Sequence, residues 1–192
     1  MSEVYSTIEK NKNRLNLDPN QAIWLFGYGS IIFKVDFEYL EAKKAYLNGF
    51  ERRFWMASED HRGTPESPGR VLTLQERRQA KCFGMAYRID HKVLDALDLR
   101  EQNGYLRYLK SVSFADGSAH DALVYIGDKT TRIYQEEHDV KTLAELIFNS
   151  VGPSGQNKDY VYELAQALRD LNEPDEYIFE LEACLRKLEE IE

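Results

Sequence analysis

The sequence predicts an α+β domain with a mixed, mostly antiparallel sheet and a helical C-terminal third. Two observations carry this. Strand-type apolar and aromatic runs dominate the first two thirds of the 192 residues, whereas helical periodicity dominates the remainder. Strands and helices do not alternate regularly, which argues against a doubly wound parallel fold. The length suits one ordinary domain, and a 43% hydrophobic content supplies a sizeable core.

Residues 1–20 are charged and lack an apolar period, so they read as an N-terminal extension, helix or tail, ending near Asp18-Pro19. AIWLF (22–26) suits a buried strand. AYLNGFERRFWMAS (45–58) reads as a strand pair or as one strand bent at Gly49, and the turn-rich EDHRGTPESPGR (59–70) as a long loop. RVLTL (70–74) and CFGMAYRI (82–89) read as two strands, the second with Phe83, Met85, Tyr87 and Ile89 on one face. Asp90 caps a helix whose stripe is Val93, Leu94 and Leu97, stopping at Asn103-Gly104. Strands return at 105–115 and 121–126 around a turn at 116–118. Helices follow at 140–151, at 159–171 with Val161, Leu164, Ala165, Leu168 and Leu171 as stripe, and from Pro174 with Tyr177, Leu181, Cys184, Leu185 and Leu188.

Composition excludes several function classes. A net charge of −8 and a pI near 5.2 repel phosphate backbones and anionic lipid, so nucleic acid and membrane surfaces are not expected partners. No apolar run approaches the roughly 20 residues of a membrane helix, and the polar N-terminus lacks the h-region of a signal peptide. Two isolated cysteines fit a reducing, cytoplasmic setting. The four histidines show no ligand spacing, so no metal is expected.

The most suggestive stretch is GYGS (27–30), placed between apolar runs. It lacks the Gly-Lys-Ser/Thr of a phosphate loop, and Ile32 stands where a dinucleotide fingerprint needs glycine. It is either a loop whose backbone N–H groups approach a carboxylate or oxyanion, or a tight turn packed by Tyr28. Glu101, in the last turn of the predicted helix, faces the negative end of the helix dipole. It is either a general acid/base with a raised pKa or a solvated charge paired with Arg100 or Arg107. Asp60, His61 and Arg62 form an anion-binding or catalytic group, or an internal loop brace. The 150–160 segment offers a helix N-terminus for an anion, or a capped turn. Arg52 and Arg53 either steer an anionic substrate or cover the surface. Ser30 has neither a Gly-x-Ser-x-Gly elbow nor a nearby histidine.

Taken together, FGYGSI (26–31), RRFWMASEDHRGTPESPGRVLTL (52–74), FGMAYRI (83–89), LREQNGY (99–105), LVYIG (123–127), SVGPSGQNKDYVYELAQALRDL (150–171) and DEYIFELE (175–182) resemble the ChaC-type γ-glutamylcyclotransferases. The resemblance spans about residues 22–188. It implies a compact mixed barrel with surrounding helices over a single domain, 21–192, and cleavage of glutathione to 5-oxo-L-proline and cysteinylglycine without cofactor or metal. It makes Gly27, Tyr28, Gly29, Ser30, Ile31 and Ile32 the cradle for the γ-glutamyl head. It makes Glu101 the catalytic carboxylate and assigns Tyr160 to substrate contact. Three segments depart from the family's pattern. Ile31 replaces a usual leucine; Met56-Ala57-Ser58-Glu59 replaces Gln-Gly-Ser-Thr; and TRIYQEEHDV (131–140) replaces a Tyr-Leu-Gly-Pro segment. The last two leave room for another γ-glutamyl amine or dipeptide as substrate, or for binding without turnover.

Overall fold

The computed structural model describes residues 6–191; the first five residues of the expected N-terminal extension lie outside the described residues. The elements are α1 (Ile8–Lys12), β1 (Ile23–Gly27), β2 (Glu41–Ser58), β3 (Gly69–Ile89), α2 (Leu94–Arg100), β4 (Tyr105–Phe114) and β5 (Ala119–Gly127). They continue with α3 (Val140–Phe148), β6 (Val151–Gly152), β7 (Gly155–Gln156), α4 (Asn157–Asp170) and α5 (Glu176–Glu189). Five strands close a barrel in the order β1-β3-β2-β4-β5. The β1–β3, β2–β4 and β4–β5 pairs are antiparallel. Trp24 and Leu25 pair in parallel with Ala122 and Leu123, which joins β1 to β5. The mixed, mostly antiparallel α+β expectation and the barrel are both met.

The chain divides into two compact units. The first runs through Arg52 and resumes at Leu74–Thr131; the second comprises Arg53–Thr73 and the chain from Arg132 onward, so β2 and β3 contribute residues to both. Leu25, Ala45, Ile89, Val112, Leu123 and Val124 lie in the core of the first unit. In the second, Leu143, Leu164, Leu168, Leu181 and Leu185 are inaccessible to solvent, as the apolar stripes require.

One pair of local alternatives is decided, for a single strand at 45–58, and further local expectations change. The 45–58 segment is one strand, and Gly49 sits at φ +80 within it, a conformation glycine adopts without the steric cost of a Cβ. The two strands expected at 70–74 and 82–89 are one 21-residue strand, β3, because the charged stretch 75–81 continues the ladder with exposed side chains. One-sided alternation is also absent there: Cys82, Phe83, Ala86 and Tyr87 are all buried, so both faces of β3 are covered. Finally, α3 ends at Phe148, four residues before Gly152-Pro153.

Candidate active site

The GYGS loop is the end of β1 and the turn that follows it. Gly27 pairs with Met85 in the sheet. A short 3-10 turn then runs from Ser30 to Ile32, closed by Ile32 N–H donating to the Gly29 carbonyl at 2.9 Å. Three side chains fix the loop. Tyr28 donates its hydroxyl to the Tyr125 carbonyl at 2.6 Å. Tyr87 donates its hydroxyl to the Ile31 carbonyl at 2.7 Å. Arg52 donates to the Tyr28 carbonyl at 3.0 Å and also to the Phe83 carbonyl. Arg52 is therefore a buried brace under the loop, 2% exposed, and the expectation that it steers substrate or covers the surface is corrected. Burying the guanidinium costs desolvation, which the two backbone carbonyls and the Cys82 sulfur, 3.4 Å away, help to offset. Packing is tight enough that a Cβ on Gly84 would stand 2.4 Å from the Gly27 carbonyl oxygen and 2.5 Å from the Phe26 ring.

Glu101 follows directly on α2. Its N–H donates to the Leu97 carbonyl at 2.9 Å, so it closes the helix as the C-cap residue. Its side chain is 19% exposed. Burial pushes its pKa up to about 7, against the opposing pull of the Arg100 charge and with a further push from Asp36. The general acid/base reading of Glu101 thus acquires its electrostatic premise, although Arg100 Nε does lie 3.4 Å from Glu101 Oε1, as the paired-charge reading anticipated.

Arg100 joins the two halves of the site. It donates to Ser30 Oγ at 2.8 Å, pairs with Asp36, and borders Glu101. The structure therefore brings the 27–32 loop and Glu101 together through one guanidinium. Beneath them, Asp98 on α2 is paired with Arg107, with Arg107 Nε donating to Asp98 Oδ1 at 2.7 Å. Tyr125 donates its hydroxyl to the same carboxylate at 2.7 Å, and burial raises its pKa. Since Tyr125 also receives the Tyr28 hydroxyl at its carbonyl, the loop, β5 and α2 share one hydrogen-bond network. Asp36, Asp98 and Tyr125 were not singled out in the sequence, and Arg100 entered there only as a charge partner for Glu101. The only signal available was the Arg100–Glu101 adjacency; the other partners come from distant positions.

The second unit holds the remaining candidates. Tyr160 is a buried residue of α4, edge-on to Phe54, with the Arg62 guanidinium above its ring. Asp60, His61 and Arg62 act as a loop brace. Arg62 donates to the Gln156 carbonyl at 2.9 Å, and the His61 carbonyl accepts from Ser154 N–H at 2.9 Å. At the start of α4, Asn157 is fully buried and exchanges two hydrogen bonds with the Arg70 backbone, at 2.7 and 2.8 Å. The segments that depart from the family pattern meet each other. Arg132 forms a two-pronged pair with Glu59 at 2.6 and 3.1 Å, Ala57 N–H donates to the Ile133 carbonyl, and Met56 bridges Tyr134. Among the described residues no group of His, Cys, Asp or Glu is arranged to hold a metal ion, and no helix is long and apolar enough to cross a membrane.

Comparison with known proteins identifies the family and the fold. A family model described as ChaC-like protein matches residues 23–188. The glutathione-specific gamma-glutamylcyclotransferase of Schizosaccharomyces pombe is 39% identical over 177 residues, covering 81% of this chain and 87% of that one. The human glutathione-specific gamma-glutamylcyclotransferase 1 is 35% identical over 162 residues, covering 79% and 72%. The crystal structure of a yeast gamma-glutamyl cyclotransferase specific to glutathione superposes with a TM-score of 0.80 at 30% identity, covering 88% of this chain and 97% of that one. The chain belongs to the ChaC-like family.

Proposed function

We propose that this protein cleaves glutathione by cyclising its γ-glutamyl group, releasing 5-oxo-L-proline and L-cysteinylglycine, with Glu101 as the acid/base and the Gly27–Ile32 loop as the cradle. The single observation that carries this reading is a carboxylate with its pKa raised to about 7, joined through Arg100 to the glycine-containing loop. The names and likeness of the relatives supply the substrate class.

The chemistry needs little else. The substrate's α-amine attacks its own γ-carbonyl carbon, forming the lactam C–N bond. Glu101 takes the proton that the amine gives up, then delivers it to the cysteinyl nitrogen as the old amide bond breaks. Proton and electron count balance without water, metal or redox partner. Intramolecular attack requires one folded rotamer of the γ-glutamyl chain, and a rigid cradle removes the entropic cost of finding it. Backbone N–H groups of the 27–32 loop hold the substrate's carboxylate or the developing oxyanion; that of Ile32 is already committed to Gly29. Residues 21–192 form the catalytic domain, and the setting is the cytoplasm.

A second reading, turnover of another γ-glutamyl amine or dipeptide, is favoured by the paired replacement of the 56–59 and 131–140 segments. Purified protein incubated with millimolar glutathione, with product analysis by mass spectrometry, tests the first reading, and a γ-glutamyl panel tests the second. Glu101→Gln keeps the shape and removes the base; it is expected to lose a factor of about 10²–10⁴ in turnover. Near-normal activity in that variant overturns the assignment of Glu101.

A further inference from the structure

We infer that Thr7, Asn11 and Arg14, which all precede the stretch matching the family, are positioning residues for the catalytic turn at Glu101. This inference rests on the cyclotransferase reading above. The turn after Glu101 is held from outside by the N-terminal segment. The Gln102 carbonyl, one residue past Glu101, accepts both the Thr7 N–H at 2.8 Å and the Thr7 hydroxyl at 2.9 Å. Ser6 forms an antiparallel bridge with Asn103. Asn11 donates to the Tyr105 carbonyl at 3.0 Å and accepts from Arg107 N–H at 2.9 Å. Arg14 donates to the Arg107 carbonyl at 2.6 Å and lies 4.3 Å from the Tyr108 ring centroid. Residues 6–14 therefore grip 102–108 along its length.

The burial of these contacts makes the grip directional. Asn11 is 0% exposed and Thr7 is 2% exposed. A buried amide or hydroxyl that loses its partner is left with an uncompensated desolvation cost, so the segment has one strongly preferred seat. The need for it is equally local. α2 has only seven residues, too few to be rigid alone, and Glu101 is its C-cap, where helices fray. On one side Glu101 is tied to Leu97 through its own N–H. On the other side, the carbonyl of the next residue is tied to Thr7. The chain is tied on both sides of Glu101, at its own N–H and at the next residue's carbonyl, which accepts from Gly104 N–H at 3.0 Å and from Thr7, and the Thr7 tie comes from outside the family's matched stretch.

The test uses the full chain and steady-state glutathione turnover. Thr7→Val removes both bonds of the hydroxyl, to the Gln102 carbonyl and from Asn11 Nδ2 at 3.5 Å, and is expected to lower kcat about tenfold, while Asn11→Ala lowers it about 10- to 100-fold, the scale of a misplaced catalytic group. KM is expected to stay within about twofold, because the cradle is untouched. Thr7→Ser keeps the hydroxyl and is expected to restore kcat. Val112→Ala, a fully buried site on β4 away from the turn, serves as a control for stability loss alone and keeps kcat. Should Asn11→Ala not fold, the Thr7→Val and Thr7→Ser pair decides. Unchanged kcat in folded Thr7→Val, or an equal loss in Val112→Ala, overturns the positioning role. An active Glu101→Gln protein would instead refute the Glu101 assignment on which this inference rests, and a wild type that forms no 5-oxoproline from glutathione would refute the cyclotransferase reading.

Discussion

Replacing Arg100 by methionine tests the electrostatic design of the site. Arg100 Nε lies 3.4 Å from Glu101 Oε1, and the two side chains are 21% and 19% exposed. At such a separation a unit charge pair is worth about 1 kcal/mol in bulk water and about 4 kcal/mol near a protein surface. Partial exposure places this pair between those limits, equivalent to about 1 to 3 pH units in the ionisation of Glu101. The sign is fixed. The guanidinium favours the carboxylate, so its removal raises a pKa that burial and Asp36 already hold at about 7. In the wild type, kcat/KM rises as pH passes upward through about 7, because the base must be ionised in the free enzyme. In Arg100→Met that limb is expected to move to about 8 or above, so that at pH 7 the active fraction drops from about a half to about a tenth or less. The deficit shrinks at high pH. The assay is a rate–pH profile following 5-oxoproline release. The substrate's own α-amine titrates in the alkaline range, but identically in every variant, so the difference between variants isolates Glu101. Arg100→Lys retains the charge and is expected to return the limb toward its original position. A limb that stays at about 7 in Arg100→Met refutes the reasoning.

Other outcomes follow from the same geometry. A carboxyl whose pKa is raised on folding binds more protons in the native state between pH 4.5 and about 7, so stability falls as pH rises through that window. Glu101→Gln removes this penalty and is expected to be more stable than wild type at pH 8, by up to about 3 kcal/mol, and no more stable at pH 4, as thermal melts would report. Asp98→Ala leaves Arg107 buried without its carboxylate and is expected to cost about 3–5 kcal/mol in urea unfolding; a loss below about 1 kcal/mol contradicts the paired-charge account. Gly84→Ala drives a methyl into the Gly27 carbonyl and the Phe26 ring, and is expected to cost about 1–3 kcal/mol and to reduce turnover by displacing the cradle. A fully active, fully stable Gly84→Ala protein would show that the cradle yields easily.

The helical third was legible because its periodicity is that of helices with one buried face: Leu164, Leu168, Leu181 and Leu185 recur at helical spacing and are all fully buried. The middle of β3 was not. Residues 75–81, QERRQAK, are charged or polar apart from Ala80 and carry Gln79 at φ 75, so hydrophobic alternation saw a gap where the backbone ladder continues. The site divides in the same way. Residue type and local position suggested Glu101 and the glycine loop as candidates, but the residues left both open, and only the family resemblance chose between their alternatives. What joins them, Arg100 to Ser30 across 70 positions, and Thr7 to Gln102 across 95, is pairing distant in sequence, and no local pattern encodes it.

The contact between Glu59 and Arg132 bears on how this protein can be recombined with its relatives. The two segments that differ from the family's usual pattern are mutually complementary, carboxylate to guanidinium and strand edge to strand edge. A chimera that exchanges residues 56–59 alone would take the Glu59 carboxylate from the half-exposed Arg132, and one that exchanges 131–140 alone would take the guanidinium from Glu59, which has only 12% of its side chain in solvent. The two stretches behave as a single inheritable cassette split across the chain. Swapped together, they form a unit by which the second half of this protein can be remodelled without altering Glu101 or the residues that hold it.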